Sequence, residues 1–200
     1  MGTSDDGTPR PPKRFEDVAS GEAVSRTAAH ESGHILPAWL SWSIASVDGT
    51  VFIAGETEGV VRVLRTVKRP YTAVQLWEAL VISAGGMAGE VVTHVTFKTK
   101  NCRHDLQGMR TQTELIERHF GAGIRPPWPE PGDHKAPPFE RFYADGLPDG
   151  WGDLMRSAYR RARDIILRHR PAFERLRVAL LAKMELSTAE IADAIGIPKA

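Results

Sequence analysis

His30-Glu31-Ser32-Gly33-His34 decides the reading of this chain. On an α-helix of about 3.6 residues per turn, the two histidines lie one turn apart on the same face, where their imidazoles can share one metal ion. Glu31 follows the first histidine and points away along the helix wall. From there it can reach a metal-bound water without ligating the metal, as a general base must. The pattern is that of a zinc-peptidase site built on a helix. It still lacks a third ligand, because a catalytic zinc usually takes three protein groups and leaves one position open.

Outside this stretch the composition is that of an ordinary globular chain. With 200 residues, 42% hydrophobic and 26% charged, it suits one domain with a buried core. A net charge of +1 gives no electrostatic reason to expect nucleic acid as a partner. Cys102 is the only cysteine, which excludes an intrachain disulfide and a cysteine-rich zinc finger, and favours a reducing, cytoplasmic location. The longest apolar run, Leu76 to Val95, is broken by Glu78, Glu90 and glycines, so no membrane span is expected. Residues 1–20 are rich in Gly, Asp and Pro without an apolar core. They are expected to form a flexible tail with no secretory signal, ahead of one domain over 21–200.

The sequence predicts a mainly α fold (α+β), with a small β-sheet after the first helix. That helix should start near Gly21, carry Val24, Ala28, Ile35 and Leu36 into the core, and kink or end at Pro37. Short strands are expected at Ile44–Val47, Thr50–Ala54 and Val60–Leu64, with turns at Asp48-Gly49 and from Gly55 to Gly59. A long helix follows from about Thr72 to Thr93. Its Gly85, Gly86 and Gly89 are poor helix formers whose presence points to close backbone approach of a neighbour. Further helices are expected from Asp105 to Gly121, Asp153 to His169 and Pro171 to Lys183, with a proline-rich insertion at about 122–150. Ser187 and Glu190 make a capping box for a last short helix, stapled by Leu186 and Ile191. Trp39, Trp42 and Trp77 are expected in the core or an interface.

Candidates for the third ligand are Glu90, His94, His104 and Asp105. Each has a plain alternative reading: Asp105 as a helix N-cap, Glu90 as a solvated face residue, His94 as a polar helix end. Chemistry and spacing do not choose among them.

Thr27-Ala28-Ala29-His30-Glu31-Ser32-Gly33-His34 resembles the catalytic helix of the FtsH-type ATP-dependent zinc metallopeptidases. Leu80-Val81-Ile82-Ser83-Ala84-Gly85-Gly86-Met87-Ala88-Gly89-Glu90 resembles that family's helix reading Leu-Gly-Gly-Arg-Ala-Ala-Glu, and Thr99-Lys100-Asn101-Cys102-Arg103-His104-Asp105-Leu106-Gln107 resembles the segment whose Asn-Asp-Leu carries the third ligand. Ala158 to Ala162 and Leu180 to Glu185 are similar to its last helices, so order and spacing agree from about Ala23 to Ile195.

The resemblance implies one Zn2+ per chain held by His30, His34 and Asp105, with Glu31 as the base. It also implies a strand edge, within Gly55 to Leu64, that holds an extended peptide. The departures are Met87 and Gly89 where the family has arginine and alanine, His104 where it has asparagine, and the proline-rich insertion. No Gly-x-x-x-x-Gly-Lys-Ser/Thr phosphate loop occurs in these 200 residues.

The function so implied is a zinc-dependent endopeptidase acting without ATP on peptides or unfolded polypeptides. Folded substrates would need a separate ATPase, and a homo-oligomer is compatible with the resemblance. Two other readings compete: a regulatory or scaffold protein that keeps the fold and the zinc, and DNA binding through the terminal helix. Leu186 to Pro198 reads as half of a helix-turn-helix, so the second of these has little to stand on.

Overall fold

A computed structural model of the chain describes residues 21–54, 56–65, 72–97, 102–121 and 151–199. The expected tail at 1–20 and the proline-rich insertion at 122–150 lie outside the described residues. Element order is α1 (Gly21–Trp39), β1 (Ile44–Ala54), β2 (Glu56–Arg65), α2 (Ala73–His94), α3 (Arg103–Phe120), α4 (Asp153–Arg168), α5 (Arg170–Lys183), β3 (Glu185–Leu186) and α6 (Thr188–Ile195). The fold is mainly α, as the sequence predicts, with one small antiparallel sheet.

The motif helix α1 is buried almost throughout: every residue from Arg26 to Trp39 is inaccessible or nearly so. A helix enclosed on all sides has no need of a polar face, which explains why its apolar residues mark no clean stripe. Its main partner is α2, and the two backbones meet at glycines. A Cβ added at Gly33 would overlap the carbonyl of Gly85, one at Gly85 would overlap the carbonyl of Gly33, and one at Gly89 would overlap the carbonyl of Ala29. The close approach expected from the glycines of α2 is therefore present, and Gly33 supplies its other half. Pro37 lies inside α1, and the helix stops two residues later at Trp39.

Thr72 caps α2 as half of a capping box with Gln75. The second face of α2 receives α3 and α4, and α5 covers α1. Ser187 and Glu190 form the expected box at the start of α6, and Leu186 and Ile191 are both buried beside it. Arg175 of α5 donates to the carbonyls of Ala194 and Ile195, which fixes the end of α6 to the bundle.

The sheet has the order β2-β1-β3. Here the sequence reading is corrected in two respects. Asp48-Gly49 is not a turn: β1 runs straight through it, with Gly49 paired to Val61 on one side and Leu186 on the other. As the central strand, β1 is held by ladders on both sides, and these override the local turn preference of an Asp-Gly pair. Of the turn expected over Gly55 to Gly59, residues 56–59 belong to β2, which begins at Glu56. The two-residue strand β3 was not expected, because so short a run has no periodicity to read. Trp39 and Trp77 are in the core, whereas Trp42, on the turn after α1, is half exposed.

Candidate metal centre

Two elements bring His30, His34 and Asp105 together. The histidines sit on buried α1 and Asp105 lies in the first turn of α3. His30 Nε2 is 2.9 Å from Asp105 Oδ2, His34 Nε2 is 3.4 Å from the same oxygen, and the two Nε2 atoms are 3.1 Å apart. Bonds of about 2.0–2.1 Å at tetrahedral angles would set zinc ligand atoms about 3.3 Å apart. The observed triangle is near that size.

The opposite ring nitrogens identify which atoms face inward as lone pairs. His30 Nδ1 lies 2.8 Å from Glu90 Oε1, and His34 Nδ1 lies 2.7 Å from the carbonyl oxygen of Ile82. Both partners are acceptors, so both Nδ1 atoms carry the hydrogen and donate it. In the neutral rings, each Nε2 then offers a lone pair. These two lone pairs and the anionic Asp105 oxygen converge on one point, and Asp105 Oδ2 is buried without a hydrogen-bond partner despite its short distances. Such an arrangement calls for a cation at its centre, either a proton or a metal ion. Space for one exists because residue 86 is glycine: a Cβ there would stand 2.5 Å from each of the two Nε2 atoms. The donor set therefore fits zinc, and Glu90 and the Ile82 carbonyl provide the outer hydrogen bonds that fix the imidazoles.

Electrostatics agree with that picture. Burial alone would depress the pKa of His30, but its contacts with Asp105, Cys102 and Glu90 and the charge of Glu31 raise it well above the usual value. His34 behaves alike: burial opposes protonation, and the charge and hydrogen bond of Asp105 together with the charge of Glu31 outweigh it, so its pKa is raised. Burial works to raise the Asp105 carboxyl, yet the two histidines hold it far below the ordinary carboxylate range. Glu31 is shifted the other way, pushed up by burial against the opposing pull of His34 and His30. A carboxylate so raised is a stronger base than one in water.

The remaining candidates separate by position. Glu90 is fully buried, but it meets His30 on the Nδ1 side, away from the converging Nε2 atoms. A second group of potential donors, His30, Glu90 and Cys102, lies on that side, with Cys102 Sγ donating to Glu90 Oε1 at 3.7 Å. Burial pushes the Cys102 thiol up to about 11, which keeps it protonated and a poor metal ligand. His104 is exposed on α3, and His94 bonds Ser25 at the far end of α2.

Two participants escaped the sequence reading. Gly59 on β2 lies against Glu31, where any Cβ would overlap the carboxylate. A glycine inside a strand signals such an approach, but only once the strand is known to include it. Arg26 stands one turn before His30 and is buried, reaching Glu22, Thr96 and Glu90. Its helical spacing from His30 was the available signal.

Comparison with known proteins reaches the same coarse class. No family model matches the chain. It is 28% identical over 184 residues to the ATP-dependent zinc metalloprotease FtsH of Acidothermus cellulolyticus, covering 86% of the chain and 28% of that protein. It is 24% identical over 197 residues to the ATP-dependent zinc metalloprotease FtsH 1 of Rhodopirellula baltica, covering 90% of the chain and 29% of that protein. The chain thus spans less than a third of the length of these relatives. Among the described residues no helix is long and apolar enough to cross a membrane. At the level these similarities carry, the chain is similar, at low identity, to part of two ATP-dependent zinc metalloproteases.

Proposed function

We propose that this chain is a zinc-dependent endopeptidase that cleaves peptides or unfolded polypeptide segments. The observation that carries the reading is the convergence of two imidazole lone pairs and an unpartnered carboxylate oxygen on one buried point, with Glu31 beside them. His30, His34 and Asp105 would hold the metal. When bound, zinc supplies a Lewis acid for the scissile carbonyl and lowers the pKa of water in the open position. Glu31 takes the proton of the attacking water and returns it to the leaving amine. Its buried carboxyl, raised by desolvation, suits both transfers.

Substrate capture falls to β2. In the order β2-β1-β3 the outer side of β2 has no neighbouring strand among the described residues, and Gly59 of that strand lies against Glu31. An extended peptide pairing with this edge would be carried past the base, by the main-chain hydrogen bonding that adds a strand to a sheet. This mode reads backbone, so it needs an unfolded substrate. Folded proteins would have to be opened first.

Metal analysis tests the ligand set. Purified protein is expected to hold one zinc per chain, and His34→Ala and Asp105→Ala are each expected to lose it while retaining helical circular dichroism. Zinc retained at full stoichiometry in the Asp105 variant would remove Asp105 from the site.

The pH dependence follows from the raised histidines. Zinc needs both Nε2 atoms unprotonated, and in the metal-free protein these groups hold protons to a higher pH than ordinary histidine. Zinc affinity is therefore expected to fall on acidification, beginning above about pH 6.5, by roughly ten- to a hundredfold per pH unit as one or two protons are displaced. Chelator competition at pH 6, 7 and 8 measures this; a flat profile would contradict the assignment.

A further inference from the structure

We propose that Arg26 is a positioning residue for the metal centre and acts through Glu90. The inference rests on the zinc reading above. Arg26 lies one helical turn before His30 on α1, and its side chain is only 10% exposed. Its Nε donates to Glu22 at 2.9 Å, and its Nη1 donates to the carbonyl of Thr96 at 2.9 Å and lies 3.9 Å from Glu90 Oε2. The other oxygen of Glu90 accepts from His30 Nδ1 at 2.8 Å. One fully buried carboxylate thus stands between a guanidinium and a ligand imidazole, with one oxygen turned to each.

The physical consequence concerns charge. A carboxylate with no exposure to water is costly unless a cation or several donors compensate it. Among the described residues, Arg26 is a cation that approaches Glu90 from outside the imidazole. Its contact with Glu90 Oε2 holds the carboxylate so that the other oxygen accepts from His30 Nδ1 and fixes the ring with Nε2 turned inward. Without it, the oxygen of Glu90 that faces away from the imidazole loses this contact, and the carboxylate that orients the His30 ring is held less firmly. The same guanidinium holds Thr96, in the segment that leads from α2 to α3 and so to Asp105. It therefore links the helix of the two histidines, the carboxylate that orients one of them and the path to the third donor. A bland i,i+4 pair with Glu22 accounts for none of this, since such a pair needs neither burial nor the reach to α2.

The test is a double-mutant cycle read as zinc affinity by chelator competition, supported by the visible spectrum of the Co2+-substituted protein. Arg26→Met is expected to weaken zinc binding about 10- to 100-fold, the range for loss of an outer-shell partner, and to alter the cobalt bands. In the Glu90→Gln background, where residue 90 is neutral and still offers an oxygen to His30, the same change should cost less than about twofold. A wild-type affinity in Arg26→Met, or an equal loss in both backgrounds, would overturn the proposal by making Arg26 irrelevant or merely structural. Should Arg26→Met not fold, Arg26→Gln keeps a donor toward Thr96, removes the charge and carries the same cycle. A wild-type protein that binds no zinc would instead overturn the zinc reading itself, which separates the two failures.

Discussion

Glu31→Gln is expected to lose peptide hydrolysis by about 10²- to 10⁴-fold while keeping its zinc, since removal of a positioned general base costs that much. The amide is nearly isosteric with the carboxylate, so contact with Gly59 and the packing of α1 should survive. What disappears is the ability to take a proton from water and deliver it to the amine. Cleavage of an unfolded protein such as casein, followed with metal content on the same samples, separates loss of base from loss of site. Wild-type cleavage by this variant would remove Glu31 from the mechanism. A protein that keeps zinc but never cleaves, wild type included, would favour the scaffold reading.

The second large effect is on stability. Gly33→Ala should destabilise the fold by about 3 kcal/mol or more, toward the upper end of the range for overpacking, because the added methyl meets backbone on the facing helix. A flexible side chain could move aside, but the carbonyl of Gly85 can move only with α2 itself. For a chain of this size the loss corresponds to a fall in Tm of roughly 6–12 °C. Zinc binding should weaken in parallel, since α2 also carries the Ile82 carbonyl and Glu90 that hold the two imidazoles. Thermal and urea unfolding of the variant measure the effect. A shift below about 1 kcal/mol would mean that the helices can separate freely at this point.

Much of the helical frame was legible because its signals are local. Caps, prolines and glycines marked helix ends to within a residue or two, as at Thr72, Gly121 and Ser187. The two histidines and Glu31 were legible for the same reason, since helical spacing alone places them. Asp105 was not: it lies 75 and 71 positions from the histidines, and only a resemblance, not spacing, singled it out. The sheet was the least readable part. Whether Asp48-Gly49 bends or runs straight is settled by β2 and β3 pairing on either side of it, information held in distant segments. Gly59 and Arg26 share that difficulty, because each gains its role only when another element is brought against it.

The burial of α1 has a consequence for how the protein comes to exist. A segment with no polar face cannot persist as a lone helix in water, and most helical stability comes from packing. It forms as α2, α5 and the sheet close around it, and the same closure brings Asp105 and Glu90 to the histidines. Maturation of the site and folding of the chain are then one event.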